Sequence, residues 1–168
     1  MPASVAPVAL PGREMRFLDQ VARMDKRFCL VSGDLGVGKS RLLRELRYSL
    51  QLEDHEVHLA HCFGRNEGLY QPFVSLLGQA LSGGRERGAV LERVLRRYGP
   101  ELAKLWPELT SAHGIKPSAK LPPEQEKLRL YYSLSQFFIE LAASSPLILV
   151  IEDLHLASED DWELLEYL

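Results

Sequence analysis

The chain has 168 residues, 46% of them hydrophobic and 26% charged, with a formal net charge of −3, which is enough to bury one sizeable core. That charge and a pI near 6.0 argue against a surface built mainly for nucleic acid. The two cysteines, Cys29 and Cys62, fit a reducing compartment, and residues 1–11 lack a basic side chain and are too short for a signal peptide or a membrane span, so the expected location is cytoplasmic.

Residues 1–11 read as a flexible arm, and 12–168 as one domain. Gly12-Arg13-Glu14 begins a predicted helix with Met15, Leu18, Val21 and Ala22 on one side. In isolation this is a packing helix. Phe28-Cys29-Leu30-Val31-Ser32 is a short apolar run that reads as a buried parallel strand.

The next stretch, Gly33-Asp34-Leu35-Gly36-Val37-Gly38-Lys39-Ser40, fits the pattern G-x-x-x-x-G-K-[ST] at every fixed position. A triphosphate has to be wrapped by backbone N–H groups at close range, and side chains at Gly36 or Gly38 would obstruct that wrap. Lys39 adds a charge for the β and γ phosphates, and the Ser40 hydroxyl suits the Mg²⁺ that bridges them. Gly33, Val37 and Arg41 complete the expected nucleotide-contacting run. A helix follows, with Leu42, Leu43, Leu46 and Leu50 at helical spacing, so strand, loop and helix come in the required order. A dinucleotide fingerprint is disfavoured, because Ser40 and Arg41 stand where a third glycine is needed.

Glu56 to Cys62 alternates as a strand would. His58 and Cys62 share a face but lie about 13 Å apart along it, too far to hold one metal ion, and His61 points to the other face. Residues 64–68 read as a loop, and Gln71 to Leu81 as a helix with Phe73, Leu76, Leu77 and Ala80 buried. The segment 82–123 reads as an irregular helical insertion. Its amphipathic part runs from Arg87 to Tyr98, with Arg93, Arg96 and Arg97 outward; Gly99-Pro100 is expected to end it, and Thr110 to Lys120 to be irregular. Glu86 and Glu92 interrupt the basic face, which therefore reads as a solvated surface rather than a nucleic-acid groove.

Glu124 to Ser144 reads as a long helix burying Leu128, Tyr131, Leu134, Phe138 and Leu141. Leu147 to Ile151, apolar on both faces, reads as a central parallel strand that ends in Glu152-Asp153. Two carboxylates at the carboxyl end of such a strand are costly and unnecessary for folding, which points to catalysis or metal binding. Ser158-Glu159-Asp160-Asp161 has the form of a capping box opening a last helix that carries Trp162, Leu164, Leu165 and Leu168.

Taken together, Gly12-Arg13-Glu14, the run Gly33 to Leu43, Tyr70-Gln71-Pro72-Phe73 and Ile151-Glu152-Asp153-Leu154-His155 resemble the AAA-type ATPase domain of the STAND class. That class includes large LuxR-type transcription activators and is similar to the origin-recognition-complex-like AAA domain. The resemblance covers Gly12 to Leu168. It implies an α/β P-loop NTPase fold, a three-layer αβα arrangement around a mainly parallel sheet of the additional-strand type, with ATP and Mg²⁺ as cofactors. Glu152 then matches the acid that holds Mg²⁺ with Ser40, and Asp153 the acid that polarises the attacking water. The family most often has Asp where this chain has Glu152, one methylene longer, and Trp and Asp where it has Leu156 and Ser158.

The implied strand order places the Cys62 strand beside the Leu147 strand, with one further strand between the latter and the Cys29 strand. The thiols would then stand about 14 Å apart, too far for a disulfide. That further strand is expected past Leu168, as are a sensor residue, an arginine that reads the γ-phosphate, a lid subdomain and output regions. The implied function is an ATP-binding, slowly hydrolysing switch in a signalling or transcription regulator, self-assembling in its intact form, without direct nucleic-acid or membrane contact from this segment. A P-loop small-molecule kinase and a nucleotide-binding scaffold without turnover are the alternatives.

Overall fold

A computed structural model describes residues 28–53, 55–64, 68–82 and 88–168. The predicted arm and first helix, and Gly12-Arg13-Glu14 with them, lie outside these residues. The chain divides into two units, Met1–His55 and Glu56–Leu168, and each has its own local logic.

In the first unit, helix α1 spans Lys39–Leu52 and buries Leu46 and Leu50, as their helical spacing anticipates. Residues 28–34, by contrast, form no strand, and Cys29 to Val31 are only partly buried. A strand exists only where a neighbour accepts its hydrogen bonds. No ladder among the described residues includes this segment.

The second unit holds the sheet. Strand β1 (Glu56–His61) pairs in parallel with β2 (Leu147–Glu152), in a register that sets Glu56 opposite Leu147 and His61 opposite Glu152. This is the adjacency implied by the strand order. The outer edge of β1 is closed by a side chain. Gln79, on helix α2 (Gln71–Ser82), accepts from the Leu59 N–H at 3.0 Å and donates to the Leu59 carbonyl at 2.6 Å, supplying at that residue the two bonds a further strand would make to it. Every residue of β2 is only partly buried, unlike the central strand anticipated, and among the described residues β2 pairs on one side alone.

Helix α3 runs from Gly88 to Leu105, straight through the Gly99-Pro100 pair expected to stop it. Proline inside a helix costs about 3 kcal/mol. Here the turns beyond it bury Glu101, Leu102 and Ala103, and the carbonyl deprived of a donor belongs to the exposed Arg96. Gly99 is small for a reason: a Cβ there would come within 2.9 Å of the Ile115 side chain. Helix α4 (Glu108–His113) occupies part of the segment expected to be irregular. The strap after it is tied down where the Ser118 N–H donates to the Pro100 carbonyl at 2.9 Å and the Ser118 hydroxyl to Glu101 at 2.6 Å.

Glu101 also meets Lys104 Nζ at 3.0 Å and Arg129 at 2.8 Å, and Lys104 meets Glu126 at 2.8 Å. Burial pushes the Glu101 carboxyl up, but the Ser118 hydroxyl and the Lys104 and Arg129 cations outweigh it and hold its pKa below the ordinary carboxylate value. A depressed carboxylate pKa stabilises the fold above the unfolded-state value, near 4.5, and that contribution is lost as pH falls through the lower folded-state value. Acid titration of Glu101→Gln should therefore show a flatter loss of stability below about pH 4.5 than wild type, measured by thermal melts across the range. Equal slopes would remove Glu101 from the acid response.

Helix α5 (Pro123–Ala142) packs along α3 and buries Tyr131, Leu134, Phe137, Phe138 and Leu141. Leu128, expected inside, is 59% exposed. Helix α6 (Glu159–Tyr167) opens with the predicted capping box: the Ser158 hydroxyl accepts from the Asp161 N–H at 3.1 Å, and Asp161 accepts from the Ser158 N–H at 3.0 Å. Tyr70 joins these helices. Its hydroxyl lies 3.3 Å from that of Tyr131, which donates to the Asp160 carbonyl at 3.3 Å. The Tyr70-Gln71-Pro72-Phe73 phrase thus fastens the start of α2 to α5 and to the helix that follows the acid pair.

Candidate functional site

The loop before α1 leaves room for an atom to approach its backbone at short range. Gly36 and Gly38 have φ of 82° and 94°, and neither Cβ would meet an atom within 4 Å. The backbone, rather than a steric contact, requires glycine there. Gly38 is the N-cap of α1 and offers no side-chain cap, and the first turn carries no acidic residue. Its leading N–H groups and positive dipole end are therefore left for something else. The contrast with α6 is direct, since that helix has Ser158 as cap and three acids in its first turn. Lys39 folds back over the loop, its ammonium donating to the Gly33 and Asp34 carbonyls at 2.7 Å each. Ser40 and Arg41 are exposed beside it, and Arg41 pairs with Glu45 at 2.8 Å. A glycine-lined backbone, an uncapped helix start and a lysine at its mouth fit a polyphosphate.

In the second unit, the parallel register carries three titratable side chains to the carboxyl ends of the two strands. The Glu152 side chain is 14% exposed and that of Asp153 is 53% exposed. Asp153 adopts φ 60° and ψ 36°, a left-handed conformation uncommon outside glycine but tolerated by Asp and Asn. It turns the chain from β2 into the short 3₁₀ segment Leu154–Leu156. His61 Nδ1 lies 3.6 Å from Glu152 Oε2 and 3.6 Å from Asp153 Oδ2, close enough for charge pairing and just beyond a direct hydrogen bond. Phe63 packs on the imidazole with ring centroids 5.9 Å apart.

His61 was not legible as a site residue in the sequence. Strand alternation places it on the face opposite His58, and only the parallel register pairs it with Glu152. The available signal was that both residues end apolar strands, and in open α/β sheets ligands gather at those ends. His58 is buried beside Glu56, with Nε2 2.8 Å from Oε1. Cys62 is buried at 3% exposure, and its amide donates to the Glu152 carbonyl at 3.0 Å. Burial, with Asp161 and Asp153 nearby, pushes its thiol up to about 11, leaving it unreactive at neutral pH. Cys29 and Cys62 are both free thiols.

A family described as AAA ATPase domain matches residues 10–168. An uncharacterised protein of Rhizobium meliloti (strain 1021) is 25% identical over 134 residues, covering 75% of this chain and 13% of that protein. The chain thus spans about an eighth of the curated relative's length. No solved structure matches. Among the described residues, no helix is long and apolar enough to cross a membrane. With the match running over nearly its whole length, the chain belongs to the AAA ATPase domain family, whose members in general use a nucleotide and a divalent metal.

Proposed function

We propose that this chain is the ATP-binding part of a nucleotide-dependent switch in a cytoplasmic signalling or transcription regulator of the STAND class, hydrolysing ATP slowly in the intact protein. The observation that carries the nucleotide reading is the uncapped, acid-free start of α1 behind Gly36 and Gly38, with Lys39 at its mouth. In this reading the backbone N–H groups from Gly33 to Ser40, together with Val37 and Arg41, hold the phosphates. The Lys39 ammonium exchanges its loop carbonyls for β and γ oxygens. The Ser40 hydroxyl and the Glu152 carboxylate would hold Mg²⁺, which would supply charge neutralisation to the triphosphate. Asp153 accepts the proton of the attacking water. His61 faces both carboxylates and fixes their orientation.

The partners in this reading are ATP and the lid, sensor and output regions of the intact protein, which self-assembles. Neither nucleic acid nor membrane is contacted directly. Phosphate release by the intact protein, measured alone and with candidate hydroxyl acceptors, tests it. Slow release without any acceptor, accompanied by different protease sensitivity in ADP and in a non-hydrolysable ATP analogue, is the expected result. Acceptor-dependent transfer would establish a kinase instead, and nucleotide binding without release a scaffold.

A further inference from the structure

Between β2 and α6 the chain forms a short bridge, Leu154 to Ala157, whose two ends are fixed and whose middle is loosely held. On one side β2 is paired with β1. On the other, the start of α6 is tied to α5, where Lys127 meets Asp160 at 2.9 Å and the Tyr131 hydroxyl donates to the Asp160 carbonyl at 3.3 Å. The bridge closes its own hydrogen bonds locally: the Leu156 N–H donates to the Asp153 carbonyl at 2.8 Å and the Ala157 N–H to the Leu154 carbonyl at 3.1 Å. Among the described residues, no backbone hydrogen bond joins Leu154 to Ala157 to another element. Beneath the bridge lies a gap too narrow for a water molecule, lined by Cys62, Phe73, Ile151, Leu154, Ala157 and Asp161. Atoms that face such a gap lose contacts on one side. Asp161 is buried at 9% exposure, and its Oδ1 has no hydrogen-bond partner among the described residues, a cost that access to water would remove. The bridge also starts from Asp153, whose φ of 60° and ψ of 36° are a left-handed conformation that costs a non-glycine residue.

We propose that Leu154 to Ala157 is a lid that lifts off this gap as a local unit, turning at Asp153 and Ala157 while the strands and helices stay folded. Lifting lets Asp153 leave its left-handed conformation, admits water to Asp161 and breaks no backbone hydrogen bond between the bridge and the rest of the chain. The extended backbone of Ala157, at φ −61° and ψ 142°, separates the lid from the Ser158 cap, so α6 need not move with it. Because Asp153 is the hinge, the same motion turns its carboxylate away from His61, which it faces at 3.6 Å when the lid is closed. The acid pair therefore has two arrangements, and the lid sets which of them is populated.

Thiol labelling of the nucleotide-free chain tests this without reference to ATP. In a Cys29→Ser chain Cys62 is the single thiol, and an aromatic disulfide reagent, dilute enough that the lid equilibrates before each reaction, reads the open fraction. The rate should depend only weakly on denaturant below the unfolding transition. Leu154→Ala, in the lid, should raise it about tenfold or more, whereas Val94→Ala, buried on α3, should lower the melting temperature and leave the rate unchanged. Asp153→Ala should label about fivefold or more faster than Asp153→Gly. Both lack the carboxylate, and only glycine keeps the left-handed turn without cost. Labelling that tracks global unfolding in every variant overturns the proposal, as does a Cys62 that never reacts below the transition. Equal rates in Asp153→Ala and Asp153→Gly also overturn it, and that pair decides the matter even where Leu154→Ala fails to fold.

Discussion

Lys39→Ala is expected to abolish the stabilisation that Mg·ATP confers while leaving the nucleotide-free protein almost as stable as wild type. At a hundredfold excess over Kd a ligand specific for the folded state contributes about 2.7 kcal/mol, which for a chain of this size raises the melting temperature by roughly 5–10 °C. Among the described residues the ammonium donates to the exposed Gly33 and Asp34 carbonyls, and water can take over both bonds, so its removal costs the empty fold little. Thermal melts with and without Mg·ATP measure the difference. A mutant that retained the full ATP shift would remove Lys39 from the phosphate site, and one that melted far lower without nucleotide would make it a structural residue.

The second large effect concerns the acid pair. Asp153→Asn in the intact protein should retain Mg·ATP binding and lose turnover by about 10²–10⁴-fold, the usual contribution of a positioned general base. The left-handed backbone at φ 60° makes asparagine the appropriate replacement. It tolerates that conformation as aspartate does, so a loss of rate would not be confounded by a rebuilt turn. Glu152→Gln should instead weaken the Mg²⁺ dependence of binding, because its side chain is the more buried of the two and it keeps shape while losing charge. Single-turnover phosphate release and nucleotide binding across a Mg²⁺ titration separate the two roles. Equal turnover in wild type and Asp153→Asn would refute the assignment, and loss of binding in both variants would mean that the carboxylates act as one metal site.

Legibility varied along the chain with the range of the forces involved. The backbone of the glycine-rich loop could be read from the sequence, because its requirements are local: glycine where φ is positive at Gly36 and Gly38, and a helix that begins at Lys39. The capping box at Ser158 was legible for the same reason, since both of its hydrogen bonds close within four residues. The long helix of residues 123–142 showed its period, but the period did not say where its buried face ends, so Leu128 was expected inside. The packing of α3 and α6 leaves it exposed.

Three features were decided by tertiary structure. Helix α3 continues through Pro100 because Glu101, Leu102 and Ala103 are buried beyond it, and burial offsets a local cost that propensity alone would have let prevail. Residues 28–34 form no strand, because apolar composition licenses a strand and a hydrogen-bonded neighbour makes one. The meeting of His61 with Glu152 and Asp153 depends on a parallel register joining residues about ninety positions apart, which no local pattern encodes. What the sequence determined by itself was therefore the local conformation of single segments: the glycine loop with the helix it opens, and the cap. What only tertiary structure decided was the pairing of β1 with β2 and the packing of α3, α5 and α6, because strand register and helix packing follow from burial rather than from any local pattern.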